Sequence, residues 1–142
     1  MKTRYDDSNG LWGIDLERGE EINTSVERFC REAGIFAAEF RAIGAVERPT
    51  LGYYNLETRV YEWHEYLGIY EATMQGNVSV KDGAPFLHVH PVLSGPDLRA
   101  FLGHMKTGFV GVVIEGFLQP LEEPIERVFC PAIGLPRWQL QP

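Results

Sequence analysis

Only one stretch of this chain carries apolar residues at helical spacing, and most of the rest is a succession of β-prone runs cut by glycine and Asn/Asp turn signals. That contrast restricts the fold to one dominated by a sheet. The runs are 50–55, 59–63, 66–74, 85–93 and 109–118, with turns predicted at Gly76-Asn77 and Lys81-Asp82-Gly83. Before them, residues 35–46 fit period two, with Phe36, Ala38, Phe40, Ala42, Gly44 and Val46 on one face and Glu39 and Arg41 on the other. The helical stretch is 19–34, where Ile22, Val26, Phe29, Cys30 and Ala33 form one stripe. Glu20 and Glu21 at its start and Arg28 and Arg31 near its end complement the helix dipole, and Gly34 is placed to terminate it. Past Leu118, two prolines in Gln119-Pro120-Leu121-Glu122-Glu123-Pro124 predict a turn or loop, with a last short strand at 125–129.

One domain is expected from 142 residues. No apolar stretch approaches the roughly 20 residues that cross a bilayer, and no apolar leader follows Met1, so a cytoplasmic location with no membrane contact is expected. Cys30 and Cys130 then read as small core residues rather than a disulfide. Thirteen Lys plus Arg against 20 Asp plus Glu give a formal charge of -7, and this average field disfavours polyanions such as DNA. No phosphate-binding glycine loop and no Gly-x-Ser-x-Gly elbow is present, so nucleotide and serine-hydrolase chemistry have no support.

The chemistry is concentrated in Phe86-Leu87-His88-Val89-His90-Pro91. A strand sends alternate side chains to one face, which puts the His88 and His90 imidazoles side by side. With His104 in Gly103-His104-Met105, three neutral imidazoles can hold a zinc-type ion and leave one coordination position open. The same residues equally suit an internal hydrogen-bond network without metal. The cupin pattern fails here, because the window that should supply its glutamate holds Ser94 and no carboxylate. Glu115 interrupts the otherwise apolar run 109–118 and reads as a buried carboxylate in need of a partner, as a base, a ligand or an orienting group, or else as one paired with an arginine such as Arg99 or set in water at a sheet edge. His64, between Trp63 and Glu65, reads as a surface histidine near a turn.

In order, Ala42-Ile43-Gly44-Ala45, Gly68-Ile69-Tyr70-Glu71, Gly76-Asn77, the segment from Asp82-Gly83 to His88-Val89-His90, Gly103-His104-Met105 and Glu115 resemble the PPC domain, the plant and prokaryote conserved domain also called DUF296. The resemblance spans about residues 12–118. It implies a single α+β domain over 1–142, a mostly antiparallel sheet flanked by one or two helices, assembled as a homotrimer. It also implies a regulatory, DNA-associated role and a metal cluster at His88, His90 and His104, with zinc or another divalent transition metal as cofactor. Plant members join this domain to AT-hooks. This chain has no Arg-Gly-Arg-Pro hook, carries Gly68-Ile69-Tyr70-Glu71-Ala72-Thr73 where plant members have Gly-Arg-Phe-Glu-Ile-Leu, and has Leu102 where a glycine is usual. An alternative is a metal-dependent hydrolase or lyase acting on a small molecule, with Glu115 or Glu71 handling the proton.

Overall fold

A computed structural model describes residues 1–140. Its elements are β1 (Lys2–Asp6), β2 (Leu11–Glu17), α1 (Ile22–Ala33), β3 (Ala38–Asn55), β4 (Val60–Glu65), β5 (Ile69–Lys81), β6 (Ala84–Ser94), β7 (Ala100–Leu102), β8 (His104–Pro120), β9 (Arg127–Cys130) and β10 (Leu135–Trp138). The main sheet is antiparallel in the order β1-β2-β8-β3-β5-β6-β7, with β4 added to the far half of β3. A separate β9-β10 hairpin is tied to β5 by the Val80 N–H donating to Ile125 O at 2.8 Å. One helix flanks the sheet among the described residues, so the α+β expectation holds with a single helix.

Helix α1 is shorter than its sequence signals. Glu21 is the N-cap, accepting from Thr24 N at 2.7 Å, rather than a first-turn residue, and Gly34 closes the C-terminus in the left-handed conformation at φ 70. Ile22, Val26 and Cys30 are fully buried on its inner face, whereas Ala33 is exposed. That face packs on β6 and β8, against a core containing Leu16, Phe40, Met74, Leu87, Leu93, Ile114 and Leu118. Each such side chain stabilises the fold by roughly 1.5–3 kcal/mol relative to exposure. Burial drives the Cys30 thiol up to about 12, so it is an inert core group; Cys130 lies half-buried on the β9-β10 hairpin instead of in the core.

Strand β3 does not stop at Arg48-Pro49. It runs through as a bend, with register shifts against β8 between Gly44 and Val46 and again from Glu47 to Leu51. Pro49 has no N–H, and it falls where the ladder is interrupted. Before the bend β3 pairs with β5, and after it with β4, while β8 follows it on both sides. Gly76-Asn77, expected as a turn, lies inside β5. The hairpin at Asp82-Gly83 is as expected: both residues have positive φ, 52 and 77, and Lys81 opposes Ala84. Strand β8 continues to Pro120, and the expected last strand at 125–129 becomes β9 with a partner, β10.

Candidate metal centre

The site is assembled by register. In β6, His88 opposes Asn77 and His90 opposes Gln75 of β5, so both imidazoles stand on the same outer face. On the other edge of β6, Leu102 of β7 opposes Val92. Continuing that register by two residues carries the chain past Gly103 and brings His104 beside His90. His104 also opposes Gly52 at the far end of β3, so the cluster forms where the sheet curls back on itself.

The three ring centroids are 4.9, 5.1 and 5.4 Å apart, and one ligand nitrogen from each lies within 4.8 Å of the others. The Nε2 atoms of His88 and His90 are 3.2 Å apart. Two nitrogens bound at 2.0–2.1 Å to one tetrahedral ion stand about 3.3 Å apart, so the pair fits such an ion without rearrangement. His104 Nδ1 is buried and has no hydrogen-bond partner among the described residues. Burial is the main cause that holds His88 down at about 3 and His104 at about 4, aided by neighbouring imidazoles and Arg127; burial also lowers His90. At neutral pH the rings are therefore uncharged, which spares a cation their repulsion.

Two features outside the histidines shape the centre. Tyr61 and Trp63 of β4 stack on each other and stand 5.2 and 6.0 Å from the His104 ring. Gly52 makes this approach possible, since a Cβ there would meet the Trp63 ring at 2.5 Å. Arg127, at the start of β9, donates to Ser79 Oγ at 2.7 Å, Asn77 Oδ1 at 3.1 Å, Pro136 O at 3.4 Å and His88 Nδ1 at 3.0 Å. A guanidinium only donates, so Nδ1 of His88 is the accepting nitrogen. The Nε2 that faces His90 is then the one that carries a proton or a cation.

His88, His90 and His104 are thus brought together as their spacing suggested. The two carboxylates are not. Glu115 is exposed rather than buried, in register with Asp15 of β2 and Ile43 of β3, and it lines a separate cavity with Lys2 and Phe117. The run 109–118 was expected to be apolar on both faces, but Val110, Ile114 and Leu118 face the core while Val112 and Phe117 point outwards. Glu71 is exposed on β5 opposite Ala45 and Ser94, four residues along the strand from Gln75, or roughly 13 Å. Neither belongs to the group of chelating side chains. His64 is exposed on β4, opposite Leu51. Arg127 gave no signal in the sequence, because its side-chain partners Ser79, Asn77 and His88 lie 39 to 50 residues away.

An antiparallel sheet curled against one helix, with three imidazoles converging where it closes, defines a class of small α+β domain. The chain belongs to the Plants and Prokaryotes Conserved (PCC) domain family, whose model matches residues 5–122, wider than the sequence resemblance and including all of β2 and the end of β1. Among solved structures it is similar to a metal-containing protein from Archaeoglobus fulgidus, with 34% identity, 98% of this chain and 97% of that one covered, and a TM-score of 0.87. It is similar to a plant- and prokaryote-conserved (PPC) protein from Pyrococcus horikoshii, with 31% identity, 99% and 96% covered, and a TM-score of 0.86. It is also similar to a proposed DNA-binding protein from Bacteroides thetaiotaomicron, with 25% identity, 96% of each chain covered and a TM-score of 0.89. Among curated proteins none matches. No helix among the described residues is long and apolar enough to cross a membrane.

Proposed function

We propose that this chain is a homotrimeric PCC-domain protein with a regulatory, DNA-associated role, holding a divalent transition metal, zinc in the first place, on His88, His90 and His104. The observation that carries the reading is the convergence of three uncharged imidazoles, two of them with Nε2 atoms spaced as ligands of one tetrahedral ion. Similarity to a metal-containing relative supports it. A bound ion would supply Lewis acidity at one open position. Because Arg127 occupies Nδ1, His88 would hold the ion through Nε2 only by releasing that proton to solvent, and the guanidinium would offset the imidazolate character left behind. The enzyme alternative draws no support from the geometry, since Glu115 and Glu71 both stand away from the cluster.

DNA association rests on similarity to a proposed DNA-binding relative. With a formal charge of -7 and no AT-hook, contact with DNA has to come from a local surface or through a protein partner. Elemental analysis of untagged protein beside the His88→Ala variant tests the metal. About one ion per chain, lost in the variant, is expected; no ion in either, even after zinc is added, overturns the reading. Fluorescence anisotropy with an AT-rich duplex tests direct contact, which has to weaken as salt rises. Absence of salt-dependent binding removes the direct form.

A further inference from the structure

A cavity of about 590 Å³ opens from His88 and His90. Beyond the two imidazoles its walls are mainly aliphatic, with Val92, Leu121 and Ile125 among them, and Trp138 of β10 stands in the lining. The Trp138 indole N–H is buried and has no hydrogen-bond partner among the described residues. Amide groups of Gln75 and Asn77 complete the end nearest the histidines. The one acidic side chain in the lining, Glu39, is already engaged by Arg41 at 3.3 Å.

The charge at that end is one-sided. A divalent ion on three uncharged imidazoles keeps its full charge, and Arg127 adds another within hydrogen-bond distance of His88. If His88 binds as imidazolate, the sum is still about two positive charges, with no carboxylate in the chelating group to offset them. Charge of that size in a half-buried site favours an anionic group at the open coordination position. The rest of the cavity favours an apolar body, because aliphatic walls gain nothing from polar atoms.

We propose that this cavity binds a small monocarboxylate with an apolar body, its carboxylate at the metal centre and its hydrocarbon part along Val92, Leu121 and Ile125. The inference rests on the metal reading above and adds the chemical class of the ligand. Arg127 and Trp138 both come from the segment after residue 122, beyond the part of the chain that the family model matches. The C-terminal hairpin therefore supplies part of the ligand's environment.

The test uses the full-length chain loaded with cobalt(II), whose visible absorption responds to exchange of a ligand on the ion. Hexanoate, acetate and hexylammonium are titrated separately. Hexanoate is expected to shift the spectrum to saturation at one per chain and to bind at least roughly tenfold tighter than acetate, because each buried methylene adds to affinity. Hexylammonium is expected to leave the spectrum unchanged. Leu121→Ala is expected to weaken hexanoate several-fold and acetate less. Cobalt uptake without any hexanoate-dependent change overturns this inference alone, as does equal affinity for hexanoate and acetate. Failure to take up cobalt overturns the metal reading and this inference with it.

Discussion

Arg127 ties the C-terminal hairpin to the imidazole cluster through a single guanidinium, and two of its acceptors are the fully buried Ser79 Oγ and the half-buried His88 Nδ1. Replacing it with methionine keeps much of the apolar stem and leaves those acceptors without their donor. Arg127→Met is expected to destabilise the fold by about 1–3 kcal/mol, read as a lower urea midpoint. An unchanged midpoint would show that water replaces the guanidinium at no cost. Gly76 offers a second residue-scale test. It lies in β5 between the partners of His88 and His90, and a Cβ there collides with the His88 carbonyl oxygen and crowds Val89. At Gly52 the colliding atoms belong to the Trp63 and Tyr61 side chains, which can shift. Gly76→Ala is therefore expected to cost about 1–3 kcal/mol and to loosen metal binding, whereas Gly52→Ala costs less; thermal melts and zinc titration of both variants check the order. The histidines were legible because strand period and register are local rules. Arg127 was not, since nothing in a sequence window shows which distant strand a lone arginine will reach.

At the scale of elements, α1 is fastened to β6 by more than its apolar stripe. Glu27 accepts from Leu87 N at 2.9 Å, and burial raises its carboxyl above the usual range. A carboxyl raised in the folded state holds more protons there than in the unfolded chain. Its contribution to stability is fully present below the unfolded value near 4.5 and is lost as pH rises through the folded value. Glu27→Gln keeps an acceptor for Leu87 without a charge. Its urea midpoint is expected to gain on that of the parent as pH climbs from about 4.5 to 7; parallel curves would show that the carboxylate costs nothing where it sits. The same scale shows where local patterns mislead. Arg48-Pro49 reads as a break between two strands, yet the bend is absorbed inside β3 because β8 pairs with both halves and lets the register slip. Gly76-Asn77 reads as a turn, yet the glycine is there so that β6 can approach closely. The edge strand β1 is exposed throughout and β2 only partly buried, so neither carries a strong apolar alternation, and both escaped the sequence reading. The core face of β3 was legible at Ala38, Phe40, Ala42 and Val46, which follow the alternation, whereas Phe36, expected on that face, precedes the strand and is exposed.

For the whole molecule, the question is what covers the outer face of the sheet. Strands β8 and β3 are central in the order β1-β2-β8-β3-β5-β6-β7, and an antiparallel sheet with one solvated face normally turns polar side chains outwards there. Here Ile43 is 61% exposed, Val112 62% and Phe117 47%. Ile69 is exposed against Gly111 on the same side. Exposed apolar side chains in such number suit an interaction surface, and the homotrimer proposed above would cover them with further copies of this chain. Glu115 stands exposed beside Ile43 on this face, between Val112 and Phe117 along β8. Replacing Ile43 with glutamate and Phe117 with arginine places charges in that surface without touching the core, whose side chains point the other way. Native mass spectrometry of the parent is expected to give three times 16.1 kDa, and the double variant is expected to give 16.1 kDa while keeping its helix and strand signature by circular dichroism. A parent that runs as a monomer at all concentrations would remove the trimer, and a variant that stays trimeric would move the interface to another face. Metal content measured on the same samples separates two designs, because a centre completed within one chain keeps its ion in the monomeric variant and a centre shared between chains loses it.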